Sequence, residues 1–370
     1  MNISHIRDCY GCGLCSTVCV HKIIDIRLNS DGFFEPVMVN PSACTECGMC
    51  VSVCAYDNDI SFPKPLHSYA AWSNNPDVRK KSTSGGVSTE LAHHFILQGY
   101  KFCGVRYNSQ KNQAEHFIAE NFDEVNAAIG SKYLQSFTQD AFKKINRKEK
   151  YIVVGTPCQI GSFRRYIQKF RCECNFILVD FFCHGVPSKL MWDKYLSEHQ
   201  NGIGKIIFAS WRNKQKGWRN SYCITLEGES GMHQSWNGTD DFFAMFLGDA
   251  CLGKACYDKC KFKYSNSSAD IRIGDFWSPK YEGVKEGICA VIAFTEKGIV
   301  ALRSSNLHLE EQSFDDVAEG QMRECAKRPM YYGVAMKILH TNQPLSRITR
   351  MIQFYKKVKW QITKVKRLFR

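Results

Sequence analysis

Hydrophobic and polar residues alternate with a period of two in KIIDIRL (22–28) and again over 33–39, and Asn29-Ser30-Asp31-Gly32 between them is a turn sequence. The pattern predicts a hairpin of two short strands. Apolar runs at 151–155 (YIVVG) and at 176–182 (FILVDFF, broken only by Asp180) are what strands buried on both faces look like. Each runs into a small-residue turn with a cysteine, Thr156-Pro157-Cys158-Gln159 after the first and Cys183-His184-Gly185-Val186-Pro187-Ser188 after the second, and the first turn then passes into a helical stretch. Two such strands in one sheet would deliver both turns to a single crevice at its carboxyl edge. Over 80–97 small residues with Gly85 and Gly86 open a helical pattern. A helix start with bare N–H groups attracts an anion, although an ordinary capped helix reads the same way. After Pro344, Ile348, Met351, Ile352, Tyr355, Val358, Ile362, Val365 and Phe369 recur at spacings of three and four, which predicts an amphipathic helix over 345–370.

The cysteines bring in chemistry. Eight of the nineteen fall into two runs of identical spacing, Cys9-x2-Cys12-x2-Cys15-x3-Cys19 and Cys44-x2-Cys47-x2-Cys50-x3-Cys54. A 4Fe-4S cube needs four thiolates, and a short loop wraps only three around one cube, so the fourth comes from the other run. Cys9, Cys12, Cys15 and Cys54 are therefore expected on one cluster, and Cys44, Cys47, Cys50 and Cys19 on the other. Gly11, Gly13 and Gly48 let backbone N–H groups approach the sulfides. Val20 and Ala55 stand where a proline usually follows the fourth cysteine. Zinc also binds Cys-x2-Cys pairs, but two matched runs of four are the ligand count of two cubes. Cys256 and Cys260, in CLGKACYDKCKF (251–262), would complete a four-thiol set with Cys158 and Cys183, hence a third 4Fe-4S cluster. Cys103, Cys172, Cys174, Cys223, Cys289 and Cys325 read as small buried hydrophobes.

A chain of 370 residues has room for two or three domains. The expected order is a two-cluster ferredoxin domain over 1–62, a linker with Pro63 and Pro65, an oxidoreductase domain over 69–340 and the basic helix over 345–370. No apolar signal stretch follows the start, and cluster chemistry needs a reducing compartment, so the expected location is cytoplasmic. No run approaches the roughly 18 apolar residues of a membrane span. The net charge is +13, yet nine basic residues and no acid lie within 347–370, so the excess is concentrated in the tail. With no stacking or groove-entering module, this charge does not indicate a nucleic-acid partner. A basic helix with an apolar stripe, flanked by Phe354, Trp360 and Leu368, suits three surfaces: its own domain, a partner protein, or an anionic membrane at the inner face.

Seven motifs, in order over about 70–300, resemble those of the coenzyme F420-reducing hydrogenase beta subunit family: STSGGV (82–87), GSKYLQS (130–136), GTPCQ (155–159), FCHGVPS (182–188), RNKQKGW (212–218), CYDKC (256–260) and ADIRIGDFW (269–277). The resemblance implies an α+β chain: a bacterial ferredoxin-type domain, then an α/β flavin-binding domain with a mixed sheet, then a helical tail. It implies FAD fed by iron–sulfur clusters. On this chain Ser84, Gly85 and Gly86 would line the flavin's phosphate end. Ser131, Lys132 and Tyr133 would lie along the flavin, Thr156 would join the cofactor-binding set, and Lys132 would place a positive charge near the phosphate or the reduced ring. That makes Lys132 the expected catalytic residue, against the plain reading of a solvated lysine.

The function expected is an FAD- and iron–sulfur-dependent oxidoreductase. A ferredoxin or other redox protein would exchange single electrons with the clusters, and the flavin would exchange a hydride with a deazaflavin-like or other small organic substrate. The alternative is a non-catalytic electron-transfer subunit of a larger redox complex.

Overall fold

The structure, a computed structural model, describes residues 1–368. The predicted hairpin is β1 (Ile24–Leu28) and β2 (Phe34–Met38), antiparallel, with Ile24 opposite Met38 and Leu28 opposite Phe34. The further strands are β3 (His67–Ser73), β4 (Lys101–Asn108), β5 (Gln113–Ala119), β6 (Ser136–Phe137), β7 (Tyr151–Val154), β8 (Phe176–Phe181), β9 (Ile206–Arg212), β10 (Tyr222–Gly228), β11 (Gly231–Trp236), β12 (Ile271–Asp275), β13 (Cys289–Ala293) and β14 (Leu307–Glu311). Among the described residues, nine of them form one mixed sheet in the order β14-β3-β13-β12-β8-β7-β4-β5-β6, and β11-β10-β9 form a separate sheet. Strands β12, β8, β7 and β4 run parallel, so their carboxyl ends share one edge.

Side chains of β7 and β8 alternate between two cores, as the period of a strand requires. Tyr151, Val153, Phe176 and Leu178 face Ile160 and Phe163 of the helix Pro157–Lys169, together with Leu14, Ile24 and Val53 of the cysteine-rich module. Ile152, Ile177 and Val179 face Val87, Leu91 and Phe95 of the helix Val87–Leu97, with Ile299 and Leu302. Burial on both faces explains why β7 is an unbroken apolar run and β8 is one except at Asp180. The module shares its core with the large sheet, so the turn of the chain near residue 62 is not a break in packing.

Arg272 on β12 and Asp180 on β8 are register partners and form a fully buried bidentate pair, with Nε–Oδ1 and Nη2–Oδ2 both at 2.8 Å. Arg272 also donates to the carbonyls of Tyr264 and Asn266, which ties the loop after Cys260 to the sheet. A charge pair in such surroundings is tolerable only when its hydrogen bonds are complete, and here the carbonyls complete them.

The tail forms the helix Ser346–Leu368. Its start packs on the domain: Ile348 and Ile352 are buried, Thr349 Oγ1 donates to Asp241 Oδ1 at 2.8 Å, and Tyr355 meets Tyr331 at 5.3 Å. Phe354, Trp360 and Ile362 are exposed. Phe369 and Arg370 lie outside the described residues. Among the described residues no helix is long and apolar enough to cross a membrane. Of the scattered cysteines, Cys103, Cys172, Cys223 and Cys289 are buried, whereas Cys174 is exposed and Cys325 only half-buried. Cys174 sits in the short helical turn Glu173–Asn175 before β8, ahead of the segment that enters the core.

Candidate functional site

In the cysteine-rich module each run turns into a short helix behind a left-handed glycine, Leu14–Val18 after Gly13 and Met49–Ser52 after Gly48. Burial pushes the Cys15 thiol well above its ordinary range, and nearby Cys12, Cys9 and Cys54 push the same way. Cys54 is raised to about 11, by burial first and Cys12 second. A thiolate in that setting needs cationic charge beside it, which iron supplies. Cys50 neighbours Cys47, and Cys44 Sγ accepts from Asn2 Nδ2 at 3.5 Å. Cys47 is exposed and Cys19 half-buried. The two sets thus differ in depth, with Cys15 and Cys54 buried on one and Cys47 at the surface on the other. Among the described residues no three His, Cys, Asp or Glu side chains converge closely enough for one metal ion. A cube spreads its thiolates around an eight-atom body, a wider perimeter than a single ion allows.

Cys158 sits in the first turn of the helix after β7, Cys183 just beyond β8, Cys256 in the helix Lys254–Asp258 and Cys260 just past it. All four line one small cavity, and Cys9 reaches it from the module. Burial raises the thiols of Cys158, Cys183 and Cys256, the last to about 12. Lysines hold the surrounding loop. Lys261 Nζ donates to the carbonyls of Ala55, Tyr56 and Asn58 at 3.3, 3.1 and 2.7 Å, and Lys254 pairs with Asp8 at 3.0 Å, both tying the loop to the module. Lys263 Nζ donates to the carbonyls of Cys183 and His184 at 2.6 and 2.9 Å.

A larger cavity of about 380 Å³ opens at the carboxyl ends of β7, β8 and β12, within the usual range for a small-molecule site. Both cysteine-bearing turns reach it, and Cys183, Phe262 and Lys263 line both cavities. One wall is the start of the helix Val87–Leu97. A Cβ on Gly85 would stand 2.4 Å from the Ala71 carbonyl, and Gly86 has φ +91°, so the chain passes here only as glycine. This helix has no side-chain cap; the Thr89 amide turns back to the Gly86 carbonyl at 3.1 Å and the Val87 amide meets Cys289, which leaves the Ser88 amide for an anion. The helix at Thr156 differs: the Thr156 amide donates to Gln159 Oε1 at 2.9 Å, so its start is closed by its own side chain.

Ser84 Oγ donates to the Ile288 carbonyl at 2.7 Å, and the Gly85 amide to Cys289 Sγ at 3.2 Å. Ser131 is held through its amide by Thr83 Oγ1 at 2.9 Å. The Lys132 ammonium donates to the carbonyls of Ala127, Ala128 and Ile129 at 3.4, 2.8 and 3.0 Å, and burial lowers its pKa to about 7. Lys132 lines the cavity, but its ammonium is engaged by its own turn. Tyr133 hydroxyl accepts from Arg212 Nη1 at 3.1 Å; the same Nη1 reaches Asp275 Oδ2 at 2.9 Å, and Trp218 Nε1 donates to Asp275 Oδ1 at 2.9 Å. Arg212 Nη2 is buried and has no hydrogen-bond partner among the described residues. Tyr133, Tyr222, Phe246 and Trp277 give the cavity an aromatic side. An uncapped helix start beside aromatic rings suits a ligand with an anionic end and a planar end.

Sequence reasoning assigned no role to several of these groups. Arg212 and Lys214 lie within the RNKQKGW motif; Lys214 Nζ binds the carbonyls of Arg79 and Ser84, both at 2.7 Å, and so fixes the glycine loop. His184, within the FCHGVPS motif, lines the large cavity and meets Asp249 at 2.7 Å. Lys263 carried no signal beyond lying three residues after Cys260.

Family models match the chain in three segments. The 4Fe-4S dicluster domain covers 8–58, and the N-terminal and C-terminal parts of the coenzyme F420 hydrogenase/dehydrogenase beta subunit cover 68–143 and 148–316. Coenzyme F420-dependent sulfite reductase of Methanocaldococcus jannaschii is 24% identical over 307 residues, which is 78% of this chain and 44% of that protein. The chain thus spans less than half the length of that relative. Coenzyme F420 hydrogenase subunit beta of Methanococcus voltae is 24% identical over 267 residues, 68% of this chain and 85% of the relative. Among solved structures, a chain of the xenon-derivatised F420-reducing NiFe hydrogenase complex from Methanosarcina barkeri aligns with a TM-score of 0.47 and 17% identity, over 85% of this chain and 96% of that one.

Proposed function

Since the chain belongs to the coenzyme F420 hydrogenase/dehydrogenase beta subunit family and carries a 4Fe-4S dicluster domain, we propose that it is an iron–sulfur flavoprotein oxidoreductase exchanging electrons with a redox protein and a hydride with a deazaflavin-like or other organic substrate. One observation carries the reading: Cys9 reaches the small four-thiol cavity, and that cavity shares Cys183, Phe262 and Lys263 with the large one. The thiol set that includes Cys9, the four-thiol set and the large cavity are therefore contiguous.

In this reading Cys9, Cys12, Cys15 and Cys54 hold one 4Fe-4S cluster, Cys19, Cys44, Cys47 and Cys50 a second, and Cys158, Cys183, Cys256 and Cys260 a third. FAD would be held in the large cavity by the Ser84-Gly85-Gly86 loop on its phosphate side and by Ser131, Lys132, Tyr133 and Thr156 along its length. When bound, the flavin converts between the single electrons of cubes and the electron pairs of organic substrates. The chain's own part is to orient and shield. Gly85 admits the close backbone approach, Lys214 fixes that loop, Lys132 ties down the turn that carries Ser131 and Tyr133, and the aromatic wall limits water. The surface position of Cys47 makes the second cluster the contact for the outside redox protein, and the reducing chemistry calls for a cytoplasmic location.

Anaerobic purification with iron and acid-labile sulfide analysis, a visible spectrum and cofactor extraction tests the proposal. About twelve irons per chain and stoichiometric FAD are expected for three cubes and a flavin. Reoxidation of the reduced protein by the deazaflavin coenzyme, nicotinamides or unsaturated metabolites would then name the substrate class. A second reading, an electron-transfer subunit without its own turnover, is favoured by the exposed Phe354, Trp360 and Ile362 among the cations of the tail helix, which suit docking on a larger complex. Clusters without flavin or turnover would select it.

A further inference from the structure

Lys263 is 8% exposed, in a loop that crosses from the small cavity to the large one, and it lines both. Its ammonium donates to the Cys183 and His184 carbonyls at 2.6 and 2.9 Å. Neutral oxygens satisfy its hydrogen bonds but leave its charge uncancelled. Two other buried cations in this region are neutralised, Arg272 by Asp180 at 2.8 Å and Arg212 by Asp275 at 2.9 Å. Among the described residues no ion pair of this kind involves Lys263. A buried charge without a counter-ion is costly, so the environment must supply negative charge in the working protein. The candidate source is close, because Lys263 lines the same small cavity as Cys158, Cys183, Cys256 and Cys260 and its ammonium rests on the Cys183 carbonyl. Four thiolates around a 4Fe-4S core carry net negative charge, and one more unit on reduction.

We infer that Lys263 is the shared counter-cation of the two cavities: it neutralises the cluster held by Cys158, Cys183, Cys256 and Cys260 and stabilises an added electron there or in the adjoining large cavity. The inference rests on the third cluster proposed above. Hydrogen bonds to two consecutive carbonyls of the turn after β8 fix the ammonium, so its field is already oriented before any electron arrives. Removing the charge should make the cluster harder to reduce. Lys261 differs, since its bonds go to the carbonyls of the cysteine-rich module.

The test is an anaerobic redox titration of the full chain followed by electron paramagnetic resonance, with iron counted in every sample, for wild type, Lys263→Gln and Lys263→Arg. Glutamine keeps a polar N–H donor but carries no charge; arginine keeps the charge. Expected is a third-cluster midpoint shifted to more negative potential in Lys263→Gln, with the reduced fraction at the wild-type midpoint falling about tenfold, and a midpoint near wild type in Lys263→Arg. Loss of the third cluster in Lys263→Gln with retention in Lys263→Arg also supports the charge requirement. Equal midpoints in all three proteins overturn it, as does cluster loss in both variants, which would make Lys263 purely architectural. About eight irons in wild type would instead remove the third cluster itself, a failure that iron counting separates from the others.

Discussion

The ring of Tyr10 stands edge-on to the ring of Phe262, with centroids 5.9 Å apart and planes at 68°. Tyr10 directly follows Cys9, and Phe262 lines both cavities, so this contact is where the cysteine-rich module meets the remainder of the site. The Tyr10 hydroxyl donates to the Lys259 carbonyl, beside Cys260. Gly161 makes room: a Cβ there would lie 2.5 Å from the Phe262 ring.

Phe262→Ala removes a nearly fully buried ring and should cost about 3 kcal/mol. Tyr10→Phe keeps the ring and loses one hydrogen bond, about 1 kcal/mol. Anaerobic urea unfolding reads both; a Phe262→Ala midpoint equal to wild type would show that the contact does not hold module and domain together.

Crossed ligation makes a pairing prediction. Cys54→Ala should abolish the same paramagnetic signal as Cys15→Ala, and Cys19→Ala the same signal as Cys47→Ala, because the fourth thiolate of each cube comes from the other run. The opposite pairing would assign each run to its own metal. Cys256→Ala should remove about four irons per chain and leave both of those signals intact.

Gly85→Ala forces a methyl group against the Ala71 carbonyl, the Cys289 amide and the Trp72 Cα. All three are backbone atoms, so relief requires strands β3 and β13 to shift, at about 2 kcal/mol. Bound flavin per chain should fall with the thermal midpoint. Full flavin retention at an unchanged midpoint would place the ligand elsewhere in the cavity.

Burial lowers the Lys132 pKa to about 7, whereas an unfolded lysine titrates at about 10.4. Between those values the unfolded chain binds more protons than the folded one, so this residue's contribution makes stability rise with pH across that window. Lys132→Met should remove the rise. The difference in unfolding free energy between pH 7.5 and 8.5, roughly 1 kcal/mol in wild type from this group, should vanish in the variant. An identical pH slope in both proteins would mean that the three carbonyls hold the ammonium charged.

Short-range features were legible in the chain alone. Cysteine spacing within each run follows from how many thiolates a short loop can offer a cube, the apolar runs at 151–155 and 176–182 from burial on both faces, and the hairpin from alternation around Asn29 to Gly32. Those signals each lie within a short stretch of chain. Three-dimensional packing decided the rest: that Cys9 approaches Cys158 and Cys256, that Lys263 lies between two cavities with its charge uncancelled, that the Lys132 ammonium is engaged by carbonyls of its own turn, and that the tail helix packs through Ile348 and Ile352 before Phe354 and Trp360 emerge. The physical reason is that a lysine's field, a thiol's neighbours and a helix's buried face depend on partners far away along the chain: Asp180 and Arg272 are 92 residues apart, Ala55 and Lys261 206. Sheet register brings the first pair together, and the packing of the cysteine-rich module on the loop after Cys260 the second.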